Sequence, residues 1–76
     1  MAILPKEIKT KDAIKVFESV GFVPTMRSGS HEKLKRAGPN GTVQVVHPKM
    51  RIGLLKRLIN DAGMTTTEFM EIYNDL

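Results

Sequence analysis

Two helical stripes of apolar residues bracket a segment patterned for strand and turn. Ala13, Val16, Phe17 and Val20 stand at i, i+3, i+4 and i+7, the spacing of one face of an α-helix. Leu55, Leu58, Ile59 and Ala62 repeat it. Gly21 and Gly63 follow the two stripes, where a left-handed residue ends a helix. Between the stripes, Val43 and Val45 alternate with Gln44, the period of a half-buried strand. Gly38-Pro39-Asn40-Gly41 groups four turn formers. A chain so patterned must lay its helices on a small antiparallel sheet.

The remaining elements follow from local signals. Met1 to Lys9 reads as an arm, and Pro5 keeps its start from being helical. Thr10 is placed to cap the first helix. Phe22 to Arg27 reads as a short strand, with Pro24 directing it to an edge. Ser28-Gly29 turns the chain into a second strand, Ser30 to Arg36. The Gly-Pro-Asn-Gly turn leads to a third, Thr42 to His47, which Pro48 ends. A short basic loop, Lys49-Met50-Arg51, precedes the helix that opens near Gly53. The last helix starts at Thr65, where Thr65-x-x-Glu68 is a capping box, and its apolar face is Phe69, Ile72, Tyr73 and Leu76. The order α-β-β-β-α plus a short C-terminal helix predicts a two-layer α+β domain. Both helices then cover one face of a three-stranded antiparallel sheet and leave the other to water. At 76 residues the expectation is one domain spanning 1–76.

Composition narrows the function. The chain has no cysteine, so it has neither a disulfide framework nor a thiol nucleophile. Two histidines and no clustered carboxylates argue against a zinc site or a metal-dependent nuclease. No phosphate-binding glycine loop opens a helix, so no cofactor is expected. No apolar run is long enough for a membrane span, and the N-terminus lacks the order of a signal peptide. The expectation is a soluble, cytoplasmic protein. The net charge of +4 is unevenly spread. Arg27 to Arg57 holds eight bases and one acid, Glu32, a net of +7, whereas Leu58 to Leu76 holds four acids and no base. Such a basic middle is the footprint of phosphate binding, or else a solvated face that aids solubility.

Strand periodicity points to particular residues. In the second strand Ser30, Glu32 and Leu34 face one way, and His31, Lys33 and Lys35 the other. Leu34 is the large apolar residue of that strand, so its face belongs to the helices. His31, Lys33 and Lys35 then form a row on the open face. An imidazole there can act as an acid–base group near neutral pH, or it can be an ordinary exposed strand histidine. RNA carries its own nucleophile, the ribose 2′-hydroxyl, so a histidine and several cations could suffice to cleave it without metal. Lys33, Lys35, Arg27 and Arg36, with Ser30 beside the histidine, are the candidate RNA contacts. His47 reads either as a strand-end histidine packed in a turn or as a phosphate contact. Gly53 stands at a helix N-terminus, either as a phosphate neighbour or as a turn residue. The aromatic residues fall on the apolar pattern, which leaves no stacking platform for single-stranded bases.

A helix followed by Gly21-Phe22, a strand carrying Arg27, and Gly29-Ser30-His31 opening the next strand resembles the HicA-type toxins. These are small messenger-RNA interferases of bacterial toxin–antitoxin pairs. The likeness continues through Val43 and Val45, then Gly53-x-Leu55, then Asp61-Ala62-Gly63, to Glu68-Phe69. After the third strand the chain departs from the family's usual order, with Val46-His47-Pro48 and a short loop. The resemblance implies a fold like a double-stranded-RNA-binding domain, His31 as the catalytic residue, and messenger RNA as substrate. It also implies a HicB-type antitoxin that covers the active site, the toxin being a monomer alone and part of a hetero-oligomer with it. The leading expectation is thus a metal-independent endoribonuclease. A non-catalytic RNA-binding module of the same fold is the alternative. A structural adaptor that docks through its acidic C-terminal helix is a third.

Overall fold

In the computed structural model, which describes residues 3–76, the helical stripes and the alternating valines close on one another. The elements run β1 (Glu7–Lys9), α1 (Thr10–Ser19), β2 (Val23–Ser28), β3 (His31–Lys35), β4 (Thr42–Val46), β5 (Lys49–Arg51), α2 (Ile52–Asp61) and α3 (Thr66–Asn74). Strands β2, β3 and β4 form an antiparallel sheet in that order. The chain is therefore α+β, with the α-β-β-β-α order of a double-stranded-RNA-binding-domain-like fold. Among the described residues no helix is long and apolar enough to cross a membrane.

The buried face of the sheet carries Leu34, Val43 and Val45, each at most 1% exposed. Against it pack Ala13, Val16 and Phe17 of α1, Leu55, Leu58 and Ile59 of α2, and Phe69 of α3. Phe17 sits between two other rings, with centroids 5.9 Å from Phe22 and 5.7 Å from Phe69. Gly21 and Gly63 adopt φ of 102° and 71°, the left-handed geometry that lets the chain leave α1 and α2. The capping box at Thr65 is formed: the Glu68 N–H donates to Thr65 Oγ1 at 3.1 Å and the Thr65 N–H to Glu68 Oε1 at 3.0 Å. Leu76 lies beyond α3 and is 59% exposed, so it is not part of the helix face.

Two sequence expectations are corrected. The end of the arm, Glu7–Lys9, and the basic loop are strands that pair with each other, Glu7 with Arg51, Ile8 with Met50 and Lys9 with Lys49, while Met1 and Ala2 of the arm lie outside the described residues. Each segment has three residues, too short for alternation to be read, and burial of Ile8 against Met50 decides the pairing. Thr10 does not cap α1. It is the first helical residue and fully buried, and its hydroxyl donates to the Val46 carbonyl. Its N–H donates to the Pro48 carbonyl at 3.0 Å. Thr10 thereby ties the start of α1 to the end of β4.

Candidate active site

His31 is placed by a tight turn. Ser28 and His31 are cross-strand partners, so Gly29-Ser30 is a two-residue hairpin loop. Gly29 has φ of 60°, the positive value that the first position of a type II′ turn demands. Arg27 Nε donates to the Gly29 carbonyl at 3.1 Å, which braces the turn. The Ser30 carbonyl accepts the His47 N–H at 2.7 Å, which ties the turn to the end of β4. His31 therefore enters β3 from a backbone held on both sides.

The row on the open face is as the period of two requires. His31, Lys33 and Lys35 pair with Val46, Gln44 and Thr42 of β4, and all three are exposed. Glu32 and Leu34 face the helices, opposite Val45 and Val43. Within the row, Gln44 Nε2 lies 3.1 Å from His31 Nδ1. The amide donates there to a ring whose proton is on Nε2. Turned by half a revolution, its oxygen accepts from Nδ1–H and leaves Nε2 with a free lone pair. Either way Gln44 fixes the ring and leaves Nε2 to solvent.

A cleft of about 330 Å³ opens on this histidine, lined by His31, Gln44, Val46, Leu54, Arg57, Leu58 and Asp61. Helix α2 lies alongside β4, and its flank makes the far wall. Leu54, Arg57, Leu58 and Asp61 are themselves spaced i, i+3, i+4, i+7. This second stripe runs one position before the core stripe, and reading only the core stripe passes over it. Arg57 Nε is 3.8 Å from Asp61 Oδ2, with the Arg57 side chain 77% exposed. Its guanidinium is free to meet an anion in the cleft, because an exposed pair of this kind holds it weakly. Gln44, Arg57 and Asp61 are thus site residues that sequence reasoning missed.

Two of the arginines expected to contact RNA stand elsewhere. Arg27 is opposite Glu32 in the β2–β3 register, so it belongs to the other side of the sheet from the His31 row. The cause is an irregularity between Pro24 and Met26 that shifts the strand's alternation. Arg36 is turned into the protein. Its Nη1 donates to the Val20 carbonyl at 3.0 Å and its Nη2 to the Ala62 carbonyl at 2.8 Å. Its guanidinium lies 4.3 Å from the centroid of the Phe22 ring. Arg36 thus joins the ends of α1 and α2 to the sheet, and its donors are engaged by protein carbonyls rather than left for phosphate. Ser30 is exposed in the turn beside His31.

His47 lies below the sheet. Its Nε2 is 2.7 Å from Glu32 Oε1, and both side chains are largely covered, at 16% and 17% exposure. It is a strand-end histidine held in a turn, on the face away from His31.

The fold is a small α+β one that sets one histidine in a cleft with Arg57 and Asp61, beside an open sheet face that carries Lys33 and Lys35. The family described as HicA toxin of bacterial toxin-antitoxin matches residues 10–64. The chain belongs to that family. It is accordingly the toxin of a toxin–antitoxin pair, and an antitoxin is its partner. No curated protein matches the chain.

Proposed function

We propose that the protein is a metal-independent endoribonuclease acting on messenger RNA, and that a HicB-type antitoxin inhibits it by burying His31. The observation that carries the reading is the held imidazole, with Nδ1 against Gln44 and Nε2 open to a cleft that Arg57 also lines. His31 Nε2 takes the proton of a ribose 2′-hydroxyl as that oxygen bonds to the adjacent phosphorus. The bond from phosphorus to the 5′-oxygen breaks, and that oxygen leaves with a proton. The imidazolium formed in the first transfer returns its Nε2 proton to this leaving oxygen, which restores the neutral ring. The products are a 2′,3′-cyclic phosphate and a 5′-hydroxyl. Lys33, Lys35 and Arg57 balance the charge that grows on the phosphate oxygens, and Ser30 can donate a hydrogen bond to the same group.

Incubation of the purified protein with RNA in excess chelator tests this. Fragments ending in cyclic phosphate are expected. Binding without fragments would leave an RNA-binding module in place of a nuclease.

The inhibitor should present carboxylates to the same row. Opposite charges speed encounter, and buried contacts set the lifetime of the complex. Lys33→Glu and Lys35→Glu are expected to weaken RNA and antitoxin binding together. Glu71→Lys and Asp75→Lys, at exposed positions in and after α3, should change neither. Affinities for both ligands across the four variants decide it. Lysine variants that lose RNA but keep the antitoxin would mean inhibition from another face.

A further inference from the structure

A second cleft, of about 280 Å³, lies where the start of α1 meets the turn after β4, and Lys9, Lys11, His47, Pro48 and Lys49 line it. Its three ammonium groups come from β1, α1 and β5; no carboxylate belongs to its lining, and Lys9 and Lys49 also border the neighbouring cleft that Glu7 and Asp12 line. Lys9 and Lys49 are direct cross-strand partners. Like charges so placed weaken a strand pair, and a two-stranded sheet is marginal by itself. Glu7 offsets little of this: its carboxylate is 3.7 Å from Lys49 Nζ, with the two side chains 50% and 58% exposed, where an ion pair contributes weakly. Neither Lys9 nor Lys11 is in an ion pair among the described residues. The floor is rigid, because Thr10 bonds the carbonyls of both Val46 and Pro48. His47 lines the cleft as well, with its Nε2 engaged by Glu32.

The two clefts meet the chain at consecutive residues: Val46 lines the one at His31, and His47, whose side chain points to the opposite face of the sheet, lines this one. We propose that Lys9, Lys11 and Lys49 form a subsite for a second backbone phosphate of the RNA, reached past the end of β4 from the phosphate at His31. The proposal rests on the reading of RNA as substrate. Ammonium groups act on phosphate as point charges, and three of them line this one cleft. It would add affinity without sequence preference, and the cationic repulsion between β1 and β5 would be relieved when the phosphate is bound.

The test uses a 2′-O-methyl oligoribonucleotide, which lacks the nucleophile and is not cut. Its binding is followed by fluorescence anisotropy across a salt series for wild type and two triple variants. The first is Lys9→Gln/Lys11→Gln/Lys49→Gln. The second, Lys6→Gln/Lys15→Gln/Lys56→Gln, removes the same charge elsewhere. The cleft variant should bind at least about tenfold more weakly, with a log–log salt slope shallower by about 0.7 to 0.9, the share of one phosphate, and the second variant should change far less. Equal effects of the two, or none, would overturn the subsite while RNA cleavage by wild type kept the nuclease reading intact. Wild type that fails to bind the probe at any salt would remove both. A cleft variant that keeps the probe but loses the antitoxin would reassign the cleft to protein. Thermal melting serves as the folding control, and relief of the Lys9–Lys49 repulsion should leave the Tm unchanged or higher. Should the triple variant not fold, Lys11→Gln alone, outside the β1–β5 pair, should weaken binding and make the slope shallower by a part of that amount, and an unchanged slope would overturn the subsite.

Discussion

His31→Ala is expected to lower RNA cleavage by about 10²- to 10⁴-fold, the usual contribution of a positioned acid–base group. The loss should be close to complete in practice, because no other imidazole lines the cleft. His47 is on the opposite face with its Nε2 bound to Glu32. Stability should barely change. The side chain is exposed, and alanine there forfeits one contact to Gln44, while surface changes of this kind usually fall within about 0.5 kcal/mol. RNA affinity should also survive, since the cations on the open face and in the cleft remain. Cleavage, anisotropy with uncut RNA, and thermal melting together separate the roles. Wild-type cleavage in the variant would end the assignment of His31. A parallel fall in melting temperature would instead make the histidine a structural residue.

Phe17→Ala is expected to cost about 3–5 kcal/mol of stability. Phe17 is fully buried and is the ring that both Phe22 and Phe69 touch. It therefore links α1 to the entry of β2 and to α3. A chain of 76 residues has roughly 4–11 kcal/mol in all, at about 0.05–0.15 kcal/mol per residue. One truncation would thus remove about a quarter of the stability at least, and in the weaker case nearly all of it. Urea denaturation measures this. The variant should lose toxicity through unfolding, with no change at the site itself. A stability change under about 1 kcal/mol would show that α1 and α3 repack over the gap and that this aromatic contact is not central to the core.

The two kinds of residue differ in how far the sequence discloses them. Ala13, Val16 and Phe17, then Leu55, Leu58 and Ile59, repeat with the period of the helix, and Val43 and Val45 with the period of the strand. Periodicity is set by local backbone geometry and needs no knowledge of the partner surface. For the same reason His31, Lys33 and Lys35 could be put on the open face from Leu34 alone: a strand has two faces, and one apolar residue labels both. The capping box of Thr65 and Glu68 is local in the same sense, because its two members are three residues apart.

Thr10 shows where local reading stops. It has the chemistry of a cap, but its hydroxyl finds the Val46 carbonyl, thirty-six residues away in sequence, because burial against β4 leaves that carbonyl as its nearest acceptor. Arg36 has the charge of an RNA contact, yet its donors meet Val20 and Ala62 carbonyls at the ends of two helices. Arg27 changes face through one irregularity in the β2–β3 register, and no composition reveals a single-residue shift.

Sequence alone determined the α+β class, the two amphipathic helices, the face on which His31 stands and the likeness to the HicA toxins. The period of each element and the order of a few motifs suffice for these. The tertiary structure decided which groups meet His31. Gln44 comes from another strand, and Arg57 and Asp61 from the flank of α2, where the packing of that helix beside β4 brings them to the cleft. It likewise decided that Lys9 and Lys11, in a nearly neutral stretch of chain, would stand with Lys49 around one cleft. Charge counted along a chain sums over neighbours in sequence, whereas the field a ligand meets sums over neighbours in space, and only the pairing of β1 with β5 joins the two.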